Sequence, residues 1–201
     1  AKWRDCKALV AAAIEVWGGV AVVCNNVGIA PLDSCVPAHE LSEEAWDRIL
    51  GVNLKSTFLM TKACVPGMIE QGGGVIINII GNGGEVLDRN YIAGASGNVS
   101  LMGFTRALGG YALDDNMRVV GINPGPVNTD RIYNMLKKWA EKDLGDAGKY
   151  KELAAGYPLG RPAHRREISD LVAFLASYRA GYTTGTIFTV DGGISARTSI
   201  L

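Results

Sequence analysis

Few of the 201 residues join a reactive side chain to a place where a ligand could meet it. The clearest are Asn25 and Asn26, which follow directly on the apolar run of residues 20–24. Amide side chains at the C-terminal end of a buried strand stand where open α/β sheets receive their ligands, and they also make turns. Tyr91 carries the one phenol between the apolar run 75–80 and the helical stretch near Gly97. Free tyrosine titrates near pH 10, so it is a poor base near neutrality until a positive neighbour stabilises the phenolate. Pro124-Gly125-Pro126 closes a third apolar run, 118–123, and its glycine permits close backbone approach to a flat ring. Metal chemistry has little to work with. Cys6, Cys24, Cys35 and Cys64 form no Cys-x-x-Cys pair, and His39 and His164 are the only histidines, which leaves no plausible zinc ligand set. The cysteines read as reduced and structural, Cys24 as core, and both histidines as surface residues in polar loops.

The elements that must position these residues alternate along the chain. Residues 8–16 are Ala-rich and helix-prone, and 20–24 are a strand. Ser42 caps a helix opened by Glu43 and Glu44, whose carboxylates suit a helix N-terminus. A further helix covers 53–70, and Gln71-Gly72-Gly73-Gly74 breaks it before the strand 75–80. A helix over 97–112 leads to the strand 118–123, and a polar, Lys-rich region occupies 129–156. A helix near 167–176 and a strand over 186–190, closed by Asp191-Gly192-Gly193, complete the order. Fully apolar strands separated by helices predict an α/β fold, a doubly wound parallel sheet covered on both faces. Asp130 and Asp191 read as caps or turn residues rather than catalytic carboxylates.

Composition narrows the partners. Twenty Lys and Arg balance twenty Asp and Glu, so no net field draws in nucleic acid or an anionic membrane. The longest apolar runs have strand length, far short of a bilayer span. A cytoplasmic protein is expected. No internal repeat or low-complexity linker is present, so residues 1–201 read as one domain.

Several landmarks now occur in a single order. Asn25-Asn26-Val27-Gly28 lies near the start, then Val52-Asn53-Leu54 and Val75-Ile76-Ile77-Asn78-Ile79. Asn123-Pro124-Gly125-Pro126-Val127-Asn128-Thr129 and, with Gly185, Asp191-Gly192-Gly193 follow. This set resembles the short-chain dehydrogenase/reductase family, with Val27 in place of the small Ala of its Asn-Asn-Ala-Gly motif. The resemblance implies a Rossmann-like sheet and NAD or NADP as cofactor. It also implies hydride transfer between the nicotinamide and a small-molecule alcohol or carbonyl substrate. In that family the first strands and the Gly-rich pyrophosphate turn precede the Asn-Asn-x-Gly motif. No Gly-x-x-x-Gly-x-Gly follows an apolar strand in these residues. The chain is therefore expected to be the C-terminal two-thirds of the domain, without the N-terminal strands or the residue that chooses NAD over NADP.

By the same resemblance Asn25, Asn26, Gly28, Pro124, Gly125, Val127 and Thr129 contact the cofactor. Val127 would offer its backbone to the carboxamide, and Thr129 its hydroxyl to a phosphate or the carboxamide. The family's proton-transfer set is a Tyr, a Lys four residues later that lowers its pKa, a Ser that orients the substrate oxygen, and a helix Asn. Asn53 matches the last, with a structural duty or a place in a proton relay. Aligned without a gap from Leu101-Met102-Gly103-Phe104-Thr105-Arg106, the Tyr position becomes Gly94 and the Lys position Asn98; the preceding strand puts Gly81 at the Ser position. A rival register reads Tyr91-Ile92-Ala93-Gly94-Ala95 as the Tyr-x-Ala-Ser-Lys segment and puts Ala95 at the Lys position. Both registers lose the lysine. Tyr91 is either the proton donor, reaching in from the loop before the helix, or a half-buried aromatic packing that loop. Neither Arg89 nor Arg106 obviously replaces the lysine.

The 129–156 segment occupies the family's variable substrate lid. Tyr133, Met135, Trp139 and Tyr150 there either favour a substrate with an apolar part or belong to an amphipathic surface helix pair. Helices 53–70 and 97–112 correspond to the family's subunit contacts, where Gly103, Ala107, Gly109 and Gly110 allow close approach, so a homodimer or homotetramer is expected. Three functions stay open: an NAD(P)-dependent oxidoreductase with an altered proton-transfer group, a nucleotide-binding homologue with impaired catalysis and a regulatory or scaffolding role, and a fragment inactive alone.

Overall fold

The computed structural model describes residues 1–197; the last four residues of the expected domain lie outside that range. Four strands, β1 (Val22–Asn25), β2 (Gly74–Ile79), β3 (Met117–Pro124) and β4 (Ile187–Val190), form one sheet in the order β1-β2-β3-β4. Every pairing is parallel, so the strands' C-terminal ends share one rim. Register is continuous across it: Asn25 lies opposite Asn78, Asn78 opposite Gly121, and Asn123 opposite Thr189.

Seven helices surround the sheet among the described residues: α1 (Trp3–Trp17), α2 (Glu43–Asn53), α3 (Lys55–Glu70), α4 (Ile92–Tyr111), α5 (Asp130–Leu144), α6 (Tyr150–Ala155) and α7 (Arg165–Ala176). On one face Val10 of α1 and Cys64 and Met68 of α3 pack on Val23, Ile76 and Val119. On the other, Leu175 of α7 and Ala180 cover Ile77, Val120 and Ile122. Ile76, Ile77 and Ile122 are fully buried, each contributing roughly 1.5–3 kcal/mol by leaving water.

The expected strands appear within one or two residues of their predicted ends. Ser42 caps α2 as expected, accepting a hydrogen bond from the Ala45 N–H at 3.1 Å. The expected helix over 53–70 instead begins at Lys55, because Asn53 closes α2 and Leu54 joins the two helices. The larger correction concerns α4, which starts at Ile92, five residues before the predicted Gly97. Gly94 and Gly97 are both buried there, so packing decides the conformation over the low helix propensity of glycine. Cys24 is also corrected from core to exposed. Along β1, Val23 and Asn25 point inward while Val22 and Cys24 face away, and Cys24 pairs with Ile77 on the α7 face beyond what α7 covers.

Close approach holds α4 against the sheet. A Cβ on Gly109 would stand 2.5 Å from the Gly185 nitrogen and 2.8 Å from the Val119 carbonyl oxygen. The Thr184 hydroxyl locks the same corner, donating to the Gly109 carbonyl at 3.0 Å and accepting from the Val119 N–H at 3.0 Å. Gly109 thus serves packing within the chain rather than the subunit contact expected of it. Gly103, Ala107 and Gly110 remain exposed.

Candidate active site at the C-terminal rim

The rim is built first from amides. Asn25, at the end of β1, is buried and donates through Nδ2 to Asn78 Oδ1 at 2.9 Å. Asn78, fully buried on β2, donates in turn to Thr105 Oγ1 on α4 at 2.9 Å. This polar chain ties two strands to α4 beneath the rim. Such buried groups must be paired, because an unpaired one loses about 1–3 kcal/mol of hydration without return. Asn26, Val27 and Gly28 then run out into solvent.

Asn53 fastens that loop. Its Oδ1 accepts from the Ile29 N–H and its Nδ2 donates to the Ile29 carbonyl, both at 2.8 Å. Both ends of the amide thus engage the backbone just beyond Gly28.

The β2 end carries the residues on which the two registers differ. Gly81 has φ +128°, a conformation that a residue with a side chain adopts only under strain, so a serine would be strained here. A Cβ on Gly81 would lie 3.3 Å from Asn98 Nδ2. Gly94 and Asn98 are one turn apart on α4. The space that a side chain on Gly94 would enter is filled by the Tyr91 ring, whose hydroxyl-bearing end lies directly there. Tyr91 is the residue preceding α4, half-buried, and its ring edge also lies 3.0 Å from where a Cβ on Gly83 would stand. The ring that occupies this space comes from one turn upstream on the chain. Burial pushes the Tyr91 phenol up from its ordinary value, while Arg131 opposes that shift as a charge and as a hydrogen-bond donor.

Several residues of the site had no signal in the sequence. Glu85 accepts from the Thr189 hydroxyl at 2.8 and 2.9 Å and from Asn123 Nδ2 at 3.1 Å, joining the loop after β2 to the ends of β3 and β4. Asn123 is fully buried and its Oδ1 has no partner among the described groups. Arg131, the second residue of α5 and forty positions further along the chain, acts on the Tyr91 phenol as a positive charge. An exposed arginine in a charged helix carries no mark that would single it out.

The third side of the rim follows β3. Gly125 donates to the Val190 carbonyl at 3.0 Å, and Val127 pairs with Ala163 in an isolated parallel bridge. Thr129 caps α5, its Oγ1 accepting from the Ile132 N–H at 3.4 Å. Asp191 is the turn residue expected, taking the N–H groups of Gly193 and Ser195 at 2.8 Å each. His39 and His164 are exposed, and His164 precedes α7. The 129–156 segment folds as a helix pair with its own small core, in which Tyr133, Met135, Tyr150 and Tyr157 pack on Ile132, Leu136 and Ala154. Trp139 stays 44% exposed.

The donor set suits a nicotinamide nucleotide. It offers amides at Asn25 and Asn26, exposed backbone at Gly28, and the hydroxyl-capped N-terminus of a fifteen-residue helix at Thr129, where orphan N–H groups and the helix dipole favour anions. Among the described residues no group of three or more His, Cys, Asp or Glu is arranged to hold a metal ion. No helix among them is long and apolar enough to cross a membrane.

Comparison with known proteins agrees with this geometry. The family described as Enoyl-(Acyl carrier protein) reductase matches residues 1–195. A 2-(S)-hydroxypropyl-CoM dehydrogenase 3 from Xanthobacter autotrophicus is 32% identical over 195 residues, 97% of this chain and 74% of that protein. An uncharacterized oxidoreductase from Thermotoga maritima is 30% identical over 194 residues, covering 96% of this chain and 74% of that one. The crystal structure of a levodione reductase superposes with a TM-score of 0.88 at 27% identity, over 98% of this chain and 75% of its own. With the parallel rim, the Asn-Asn-x-Gly turn and the Pro-Gly turn in their places, the chain belongs to the short-chain dehydrogenase/reductase family and is an NAD(P)-dependent oxidoreductase of that kind.

Proposed function

We propose that this oxidoreductase interconverts an alcohol and a carbonyl compound, with Tyr91 giving and taking the proton at the substrate oxygen. One observation carries the reading: the hydroxyl end of the Tyr91 ring fills the space above Gly94, one turn from Asn98 and beside Gly81. A phenol held there serves as general acid when the substrate oxygen gains charge, and as general base in reverse. Asn25, Asn26, Gly28, Pro124, Gly125, Val127 and Thr129 would hold NAD or NADP, which when bound supplies or accepts the hydride. Asn53 positions the Gly28–Ile29 backbone for that contact, and Asn98 offers an amide at the rim. We take the α5–α6 pair, within 129–156, as the segment that covers the substrate. The exposed stripe Gly103, Ala107 and Gly110 on α4 supports a homodimer or homotetramer.

The test is Tyr91→Phe assayed with reduced nicotinamide and a panel of carbonyl compounds. Loss of the hydroxyl is expected to lower turnover by about 10²–10⁴, the usual worth of a positioned acid or base. Undiminished turnover removes Tyr91 from the mechanism. Tight binding of reduced NAD(P) by the unaltered chain, with no turnover on any carbonyl, would instead favour the impaired homologue.

A further inference from the structure

The Tyr91 ring is held by packing, and part of its wall is bare backbone. A Cβ on Gly83 would stand 3.0 Å from the edge of the ring, and one on Gly84 would stand 2.8 Å from Met102 Sδ and 3.2 Å from the Asn98 Cβ. The short turn Asn82–Gly84 is thus wedged between the ring and α4, and neither glycine brings a side chain that could bond it in place. The bonds come from the next residue. Glu85 accepts from Thr189 Oγ1 through both carboxylate oxygens, at 2.9 and 2.8 Å, and from Asn123 Nδ2 at 3.1 Å. Asn123 and Thr189 lie opposite each other in the β3–β4 register, so one carboxylate spans two strands. We propose that Glu85 is the positioning residue of this site: its carboxylate anchors the turn Asn82–Gly84 to the sheet, and the anchored turn holds the phenol over Gly94. The inference rests on the reading of Tyr91 as proton donor.

Nothing else holds the carboxylate. Among the described residues Glu85 forms no ion pair, and its bonds are made to a hydroxyl and an amide. Hydrogen bonds to a charged group are the strong kind, so this anchor is worth more than its exposed position suggests. Its partner has little alternative: Asn123 is fully buried, and the Nδ2 that Glu85 engages has no access to water. The path from anchor to ring is short, since Gly83, which meets the ring, lies two residues before Glu85. A turn with two glycines in three residues also has more backbone freedom to lose than most, so fastening one end of it restricts it strongly. Glu85 therefore acts through the turn, not on the reacting atoms. Glutamine in its place keeps one acceptor oxygen for Thr189 and Asn123, whereas alanine keeps none.

Fluorine NMR of the full chain, with fluorotyrosine at its seven tyrosines, reads the ring without cofactor or substrate, and Tyr91→Phe identifies the Tyr91 resonance by its loss. Glu85→Ala is expected to shift or broaden that resonance while the other tyrosines keep theirs, and Glu85→Gln to restore it. Turnover should fall roughly tenfold in Glu85→Ala with KM little changed, and return for the most part in Glu85→Gln. In a Tyr91→Phe background Glu85→Ala should cost no further turnover, because both substitutions disable one device. Glu85→Asp, which draws the carboxylate back by one methylene, carries the same readings if Glu85→Ala does not fold. A Tyr91 resonance unmoved by these substitutions overturns the inference and leaves the Tyr91 reading standing, as does a loss of turnover that adds in full to that of Tyr91→Phe. Full turnover by Tyr91→Phe overturns that reading and, with it, any catalytic consequence of the anchor.

Discussion

The two halves of the rim are built differently. Around β1, Asn25, Asn78, Thr105 and Asn53 form short bonds of 2.8–2.9 Å to one another or to backbone. Around the start of α4 small residues prevail: Gly81, Gly94 and Asn98 border a corner that the Tyr91 ring, from one turn upstream, fills. The contrast teaches that the half which shapes the loop cannot vary without leaving buried polar groups unpaired. The half at the start of α4 is held by a ring that fills open space rather than by a bonded network, so its side chains can be exchanged at lower cost.

Asn78→Ala probes the first half hardest. It leaves the Asn25 Nδ2 and Thr105 Oγ1 groups without their partner beside a new void, and is expected to cost about 3 kcal/mol in denaturant unfolding. A cost below about 1 kcal/mol would mean the buried chain is dispensable and the contrast is drawn in the wrong place. Asn53→Ala releases only the half-buried Ile29 backbone, so about 2 kcal/mol is expected. Weaker NAD(P) binding should accompany that loss in calorimetric titration. The second half is sharpened by Gly94→Ala, whose Cβ would overlap the hydroxyl end of the Tyr91 ring. Helix propensity gains up to about 1 kcal/mol and displacing the ring costs a similar amount, so melting temperature should hold or fall slightly while turnover drops about tenfold. Unchanged turnover would show that the position of the ring is immaterial.

Much of the first half was legible in the residues. Asn25-Asn26 after an apolar run, Ser42 before Glu43 and Glu44, and Pro124 after a third run are local signals, and local physics decides them. The α4 start was not legible, because Gly94 and Gly97 weaken a helix by propensity and only burial against neighbouring elements restores it. Cys24 failed for a related reason: alternation along a strand says which residues share a face, and says nothing about whether anything covers that face. The rival registers for Tyr91 could not be resolved in one dimension. Only the fold shows the Tyr91 ring to lie at Gly94. The effect of Arg131's charge on the Tyr91 phenol was out of reach altogether, since forty residues and a strand separate the two in sequence.

The contact between Gly109 and Gly185 has a mechanical side. It pins α4 near its C-terminal end, while Gly94 lies fifteen residues away, roughly 22 Å along the axis. The helix is in effect a lever with its fulcrum at the sheet and its working tip at the rim. A tilt of about 3° at the fulcrum carries the tip through roughly 1 Å, a misplacement able to cost an enzyme about 10²-fold. The precision of the phenol is thus set at the far end of the helix by two residues with no side chains at all.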